Sequence, residues 1–209
     1  MPDLTPELAQ TYRELPERFY NSTKAAEFPD IALVEANDSL SRELGIDPSW
    51  LRSEAGLGML SGQNPPPGAK PVSQVYAGHQ FGGFVPRLGD GRAMLMGDIG
   101  GFDIHLKGTG PTLYSRGGDG TSALGPVIRE YLVSEAMHAL TVPTTRALAA
   151  VTTGETIIRQ FGPEPGGIFT RVAKSHTRVG TFQYFAAQQD REALEILIQH
   201  CICLLYTSP

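Results

Sequence analysis

The chain has 209 residues, of which 41% are hydrophobic and 19% are charged, and its formal net charge is −5. This composition is ordinary for a globular protein of one or two domains, and the acidic balance excludes a global basic field for nucleic acid or an anionic membrane. Any anion site must therefore be built locally. No run of about 18 apolar residues occurs and the N-terminus lacks the pattern of a signal peptide, so no membrane association is expected.

The start of the chain is predicted to form short helices. Asn37 can cap one helix, and Gly45 can end it in the left-handed conformation that glycine tolerates. Asp47 can cap a second helix with Pro48 at its first position. The proline-rich stretch 61–71 cannot form a regular element and predicts a surface connection into the next part of the fold.

The middle of the chain is predicted to be a sheet with one helix. Residues 75–92 are glycine-rich and are predicted to form a loop, followed by strands at 92–99 and 102–107 that a Gly100-Gly101 hairpin turn joins. Apolar spacing predicts a helix over 122–140. Further strands are predicted at 144–151, 155–159 and 167–172, with a turn at 152–154, and helices follow from 181. This order predicts an antiparallel sheet with one packed helix, a mixed α+β lobe.

A glycine-flanked turn precedes the first of these strands. Gly89 and Gly91 would let backbone amides approach a phosphate without Cβ obstruction, and Arg92 would add a charged donor. A turn of this type also occurs in ordinary hairpins. The sequence around it matches neither a Walker A loop nor a dinucleotide-binding loop.

Lys107 ends the second strand on its polar face, directly before another glycine-rich loop. In kinases a strand lysine holds nucleotide phosphates and is positioned by a glutamate of the following helix. Glu130 lies 23 residues further along, and Glu135 is the rival partner that periodicity does not exclude. A solvated strand-end lysine is the alternative interpretation.

Two more groups extend the candidate anion site. Asp119 and Gly120 belong to a second glycine-flanked turn, which either contacts a ligand or only launches the helix. Arg171 and Arg178 lie seven residues apart in a local basic cluster that suits a triphosphate, because guanidinium groups bind phosphate oxygens in pairs. A solvated charged loop is the alternative.

Three long stretches resemble one known family. The runs YAGHQFGGFVPRLGDGRA, HLKGTGPTLYSRGGDGTSALGPVIREYLVSEAMHAL and FTRVAKSHTRVGTFQYFA are similar to the selenoprotein O family of kinase-fold protein adenylyltransferases, over residues 30–200. The resemblance implies a protein-kinase-like N-lobe and transfer of AMP from ATP, with Mg²⁺ or Mn²⁺, to Ser, Thr or Tyr hydroxyls of protein substrates. It also implies that ATP lies reversed relative to kinases.

The same resemblance assigns roles to individual residues. It implies that the nucleotide is contacted by Gly89, Gly91, Arg92, Lys107, Asp119, Gly120, Arg171 and Arg178. It selects Glu130 as the partner of Lys107. Two other interpretations stay open, namely an atypical phosphotransferase and a non-catalytic ATP-binding pseudokinase.

The resemblance also predicts what this chain lacks. We expect an N-terminal helical segment with its connection at 1–70, a nucleotide-binding lobe at 71–180, the start of a helical C-lobe at 181–200 and a non-family tail at 201–209. The catalytic base and metal ligands of the family would lie further along, so the chain is expected to be a fragment that is inactive alone. Cys201 and Cys203 are too close for ordinary disulfide geometry and too few for zinc, which favours a reducing, cytoplasmic setting.

Overall fold

The computed structural model describes residues 5–206. Its centre is a seven-stranded sheet in which every neighbouring pair is antiparallel, in the order β1-β3-β6-β7-β9-β8-β2. These strands are β1 (Tyr20–Ser22), β2 (Ala32–Ala36), β3 (Val72–Gln74), β6 (Ala93–Ile99), β7 (Phe102–Lys107), β8 (Arg146–Arg159) and β9 (Gly162–Ala173). A separate small hairpin is formed by β4 (Gly78–Gln80) and β5 (Gly83–Val85).

Helices cover both faces of this sheet. They are α1 (Asp38–Glu43), α2 (Pro48–Leu51), α3 (Glu54–Ser61), α4 (Leu124–Ala139), α5 (Val179–Ala187) and α6 (Arg191–Tyr206), with 3-10 helices at Thr11–Glu14 and Glu17–Phe19. The predicted α+β class with an antiparallel sheet is therefore correct, but the prediction of a single packed helix is wrong. Burying both faces of a wide sheet requires more apolar surface than one helix can offer.

The first helices begin and end where the sequence predicts. The Asn37 side chain accepts a hydrogen bond from the amide of Leu40 at 3.0 Å, and the Asp47 side chain accepts one from the amide of Ser49 at 2.7 Å. Gly45 follows α1 with φ +73°. The same segment also supplies β1 and β2 to opposite edges of the sheet, so it is not purely helical.

One side of the sheet carries the larger apolar core. Side chains of α1, α2 and α3, among them Trp50, Leu51 and Leu60, are buried against alternate residues of the central strands, such as Ile104 and Leu106. Residues on alternate positions of a strand point to opposite faces. Asp103, His105 and Lys107 of β7 therefore belong to the other face.

That other face is divided between two groups of helices. Over β8 and β9, Val127 of α4 is buried against Ala147, Ala150 and Phe169. Over β3 and β6, the 3-10 helices pack with α5 and α6 in a second cluster that contains Phe185 and, from the strands, Leu95. The polar residues of β7 lie between these two clusters.

Two local predictions need correction. The predicted turn at 152–154 is a bulge: β8 continues through it to Arg159, the register with β9 shifts between Thr152 and Thr156, and Gly154 takes φ +71°. A bulge and a turn use the same glycine and threonine signals, and only pairing with β9 separates them. The predicted loop at 75–92 contains the β4–β5 hairpin.

The apolar face of α4 is only partly buried. Its N-cap is Ala123, which makes no side-chain cap. Among the apolar residues of the predicted helix 122–140, Val127 is buried, whereas Leu132 is 61% exposed and Leu140 is 73% exposed. The helix touches the sheet with a narrower face than its apolar residues offer.

The end of the chain continues α6. Cys201 and Cys203 lie on this helix, Cys201 partly buried and Cys203 exposed. Residues 207–209 of the predicted tail lie outside the described residues. Among residues 5–206, no helix is both long and apolar enough to cross a membrane.

Candidate nucleotide-binding site

A cavity of about 600 Å³ opens on the face of the sheet that carries Lys107 of β7 and Arg171 of β9. Its lining includes all the residues that the sequence assigned to nucleotide contact, namely Gly89, Gly91, Arg92, Lys107, Asp119, Gly120, Arg171 and Arg178. Strands β7 and β9 supply its floor, and the two glycine turns supply its wall. Segments that are up to 89 residues apart in the chain therefore meet at one place.

The charge of this cavity differs sharply from that of the whole chain. Six cationic side chains line it, Arg92, Lys107, Arg116, Arg159, Arg171 and Arg178, against the two carboxylates Asp90 and Asp119. A surplus of four positive charges makes this cavity locally cationic in a protein of net charge −5. Anionic ligands would be attracted to this cavity and not to the protein as a whole.

Lys107 is held by one of its two candidate partners. Its Nζ contacts Oε1 of Glu130 on α4, and its side chain is 19% exposed. Burial lowers the pKa of Lys107, although Glu130 opposes that shift, and the nearby Arg171 and Arg92 also favour the neutral form. Lys107 is therefore not a solvated strand-end charge.

Glu135, the rival partner, lies one and a half turns further along α4 and has a different set of contacts. It accepts hydrogen bonds from Nε and Nη2 of Arg146, at 3.0 and 2.9 Å, and from the amide of Ala147 at 2.8 Å. The side chain of Asn37 adds another donor at 2.8 Å. Burial favours the neutral carboxyl, but these donors outweigh it and the pKa of Glu135 is lowered. This glutamate ties α4 to β8.

The first glycine turn is packed closely against the second loop. A Cβ atom on Gly89 would lie 2.3 Å from the ring of Tyr114, and one on Gly91 would lie 2.8 Å from the Tyr114 carbonyl oxygen. Distances below 3 Å exclude a side chain unless the loops separate. Both glycines are required here for close approach of the two loops, whatever they do for a ligand.

Asp119 is already partnered within the chain. It accepts a hydrogen bond from Nη1 of Arg159 at 2.6 Å and another from the amide of Thr121 at 2.9 Å. The Arg159 guanidinium is the main cause that lowers the pKa of Asp119 to about 2. Asp119 therefore orders the second glycine loop through Arg159, a residue that sequence reasoning missed because β8 was predicted to turn before it.

Arg171 and Arg178 both line the cavity, and both are partly buried. Both have a buried Nε that makes no hydrogen bond among the described residues. The Arg178 guanidinium lies 4.7 Å from the ring centre of Tyr76, within range of a cation–π contact. Burial, together with the charge of Arg178, lowers the pKa of Arg171, yet a guanidinium remains charged in proteins.

Asp90, which sequence reasoning treated only as part of a turn, is the buried centre of this region. It is 2% exposed and accepts hydrogen bonds from the amide of Gln74 at 3.0 Å and the hydroxyl of Tyr76 at 3.1 Å. The ring of His105 adds a contact at 3.3 Å. Burial acts to raise the pKa of Asp90, but His105, Arg178 and the hydrogen bonds outweigh it and lower the pKa. No local sequence signal distinguishes this aspartate from an ordinary turn residue.

A larger cavity of about 1110 Å³ lies elsewhere, along residues 22–28 and 62–71. Arg13, Lys24 and Lys70 stand at its edge, and none of the predicted nucleotide contacts lines it. Volume alone would favour this larger cavity as the ligand-binding site. The smaller one concentrates more cations, and two of its arginines have buried nitrogens without a hydrogen-bond partner in the described chain.

A family model described as "Protein adenylyltransferase SelO" matches residues 2–208. The chain belongs to this family. The match extends past the resemblance at 30–200 and includes most of the segment expected to be a non-family tail.

Curated relatives of the SelO family carry the name "Protein nucleotidyltransferase YdiU". The one from Nitrobacter hamburgensis is 56% identical over 197 residues, which cover 92% of this chain and 39% of the relative. Those from Methylorubrum extorquens and Alkalilimnicola ehrlichii are 55% and 52% identical, covering 92% and 94% of this chain and 39% and 40% of the relatives. The chain thus spans about 40% of the length of the relatives it matches.

Proposed function

We propose that this chain is the nucleotide-binding part of an ATP-dependent protein adenylyltransferase, which transfers AMP to Ser, Thr or Tyr hydroxyls of protein substrates. The observation that carries the proposal is the meeting of Lys107, Arg171 and Arg178 with both glycine turns in one cationic cavity. A cytoplasmic setting belongs to the same proposal. The proposed activity is supported by membership of the SelO family, whose curated relatives are named protein nucleotidyltransferases.

The cations of the cavity suit the charge that such a reaction develops. In AMP transfer the hydroxyl oxygen of the substrate bonds to the α-phosphorus, the bond from that phosphorus to the oxygen bridging to the β-phosphate breaks, and pyrophosphate leaves. Fixed donors aimed at the leaving phosphates lower the barrier because they need no reorganisation during the reaction. In the reversed ATP orientation, Arg171 and Arg178 would neutralise phosphates deep in the cavity while the α-phosphate faces the substrate.

Residues 5–206 contain no group of three or more His, Cys, Asp or Glu side chains able to hold a metal ion. The two carboxylates of the cavity are engaged, Asp90 by three donors and Asp119 by Arg159. Mg²⁺ or Mn²⁺ would accompany ATP in the whole protein, but we assign these residues no role in holding it.

Calorimetric titration of the 209-residue chain tests the nucleotide site. We expect weak binding of ATP, weaker binding of AMP, and loss of detectable ATP binding in Lys107→Ala and in the double variant Arg171→Ala/Arg178→Ala. Lys24→Ala is the matched control, because it removes a cation from the edge of the larger cavity. Unchanged ATP binding in Lys107→Ala and the arginine double variant would refute the proposed site, and a loss in Lys24→Ala would move the site to the larger cavity.

The reaction type is tested with labelled nucleotide. A full-length relative is expected to transfer label from α-labelled ATP to protein and none from γ-labelled ATP, whereas this chain alone transfers neither. Transfer of the γ-label would identify a phosphotransferase. Transfer of neither label by the full-length relative would indicate a pseudokinase, and AMP transfer by the 209-residue chain would refute the proposal that it is inactive alone.

A further inference from the structure

A chain of buried polar contacts runs beneath the cavity from Asp90 through His105 to Arg171. Nε2 of His105 lies 3.3 Å from Oδ2 of Asp90, and Nδ1 lies 2.9 Å from Nη2 of Arg171. His105 is fully buried, and it is the direct cross-strand partner of Arg171 in the pairing of β7 with β9. Its ring therefore has fixed neighbours at both nitrogens.

The chemistry of these neighbours determines where the proton of His105 resides. A guanidinium can only donate hydrogen bonds, so Nδ1 must be the unprotonated, accepting nitrogen. Nε2 then carries the proton and donates a hydrogen bond to the carboxylate of Asp90. Burial is the main cause that lowers the pKa of His105 to about 3, with the charge of Arg171 acting in the same direction, and Asp90 opposes the shift.

The surroundings leave the ring little freedom to turn. The ring of His176 is stacked on that of His105, with centres 4.6 Å apart and planes inclined by 18°. The backbone amide of His176 donates to Oδ2 of Asp103 at 2.7 Å, which fixes the backbone that carries the stacked ring. A rotation of His105 would break the contacts at both nitrogens and the stack.

We propose that His105 is a positioning residue that orients the Arg171 guanidinium toward an anion in the cavity while leaving its charge uncompensated. This inference rests on the proposed function, since it assumes that the anion is the phosphate chain of ATP. A carboxylate in direct contact with Arg171 would fix its direction equally well but would neutralise it. A neutral imidazole fixes the direction of the Arg171 guanidinium without neutralising it. Asp90 contacts the imidazole and holds it in place.

The first test compares two substitutions of His105 that differ in which nitrogen they imitate. Asn places its side-chain oxygen close to Nδ1 and can still accept from Arg171, whereas Gln extends to the Nε2 position and loses that acceptor. We expect His105→Gln to weaken ATP binding about tenfold, the loss typical of one hydrogen bond to a charged group. His105→Asn should stay within about threefold of wild type, and AMP binding should change little in both variants, because the loss concerns the outer phosphates.

Ile104→Ala provides the control for instability. Ile104 is the buried neighbour on the opposite face of β7, so its truncation destabilises the sheet without touching the cavity. The ratio of ATP to AMP affinity should be unchanged in Ile104→Ala at a temperature where all variants are folded. The positioning role would be overturned if the ratio of ATP to AMP affinity in His105→Gln equalled that of wild type. It would also be overturned if this ratio fell equally in Ile104→Ala.

Nitrogen-15 NMR of the imidazole gives a readout that is independent of nucleotide. We expect His105 at pH 6 to show a protonated Nε2 and an unprotonated Nδ1, and an imidazolium there would overturn the inference. If ATP fails to bind the wild-type chain, the proposed function is refuted. The phosphate chain of ATP is then also refuted as the anion toward which Arg171 is oriented. ATP that binds wild type and His105→Gln alike would refute only the role of His105.

Discussion

At the scale of single residues, two glutamates on one helix have separate tasks. Glu130 contacts Lys107 of the cavity, and its side chain is 37% exposed. Glu135 instead joins α4 to Arg146 and Ala147 of β8. A shift of five residues along a helix changes direction by more than a quarter turn, so the two side chains cannot share a partner.

Substitution of these two glutamates should separate binding from stability. Glu130→Gln is expected to lower ATP affinity by about tenfold with little change in the free energy of unfolding, because it removes the charge that positions Lys107. Glu135→Gln is expected to lower the free energy of unfolding by about 1–3 kcal/mol, because it disrupts a partly buried set of hydrogen bonds to a charge, and to leave ATP affinity unchanged. Calorimetry and urea denaturation of both variants measure the two effects.

Each variant is the control for the other in that comparison. Equal losses of stability with no change in ATP affinity would mean that the Lys107–Glu130 contact is structural only. A loss of ATP affinity in Glu135→Gln would mean that the position of α4 as a whole governs the cavity.

At the scale of elements, each of the two glycine turns is joined to the segment that follows β7. The amide of Gly110 donates to the carbonyl of Gly120 at 3.0 Å, and the amide of Gly108 donates to the carbonyl of Arg92 at 2.7 Å. Gly120 combines φ +69° with a backbone contact so close that a Cβ would lie 2.1 Å from the carbonyl of Gly110. The cavity wall therefore depends on backbone proximity.

Gly120→Ala and Gly117→Ala form a matched pair that tests this dependence. Gly117 has φ +81°, but a Cβ there would meet nothing within 4 Å, so only left-handed strain of about 1 kcal/mol is expected. Gly120→Ala adds overpacking against fixed backbone, typically about 1–3 kcal/mol more, and should also weaken ATP binding. Urea denaturation with ATP titration checks both, and equal losses for the two variants would show that the loops separate easily.

At the scale of the whole molecule, several histidines lie inside the fold instead of on its surface. His105 and His176 are 0% and 6% exposed. Burial is the main cause that lowers the pKa of His105 to about 3 and lowers the pKa of both His176 and His200. The unfolded chain takes up protons on these rings near pH 6.5, whereas the folded chain resists them until lower pH.

Stability should therefore fall as pH falls below about 6.5. Above that pH these rings are neutral in both states and contribute nothing to the pH dependence. Below it, each ring that stays neutral in the fold costs about 1.4 kcal/mol per pH unit, or about 2 kcal/mol for His105 by pH 5. Urea denaturation between pH 7.5 and 5 measures this slope.

His105→Asn is the control for that pH dependence. It removes one titrating ring, so its slope should be shallower than that of wild type by about one proton. Equal slopes for the two proteins would contradict the neutral, buried state of His105. A wild-type stability that stays constant between pH 7 and pH 5 would contradict the same state for all three histidines.

The sequence alone determined the helix caps at Asn37 and Asp47, the Gly100-Gly101 hairpin and eight of the residues that line the cavity, because each depends on local chemistry or on distinctive family motifs. Without the family resemblance, only the tertiary structure identified Glu130, and not Glu135, as the partner of Lys107. The structure also showed that the predicted turn at 152–154 is a bulge and that Arg159 contacts Asp119. It also made Asp90 and His105 the buried support of Arg171. The physical reason is that strand pairing, burial and the direction of a side chain depend on residues distant in the chain. Local sequence patterns therefore do not predict these features.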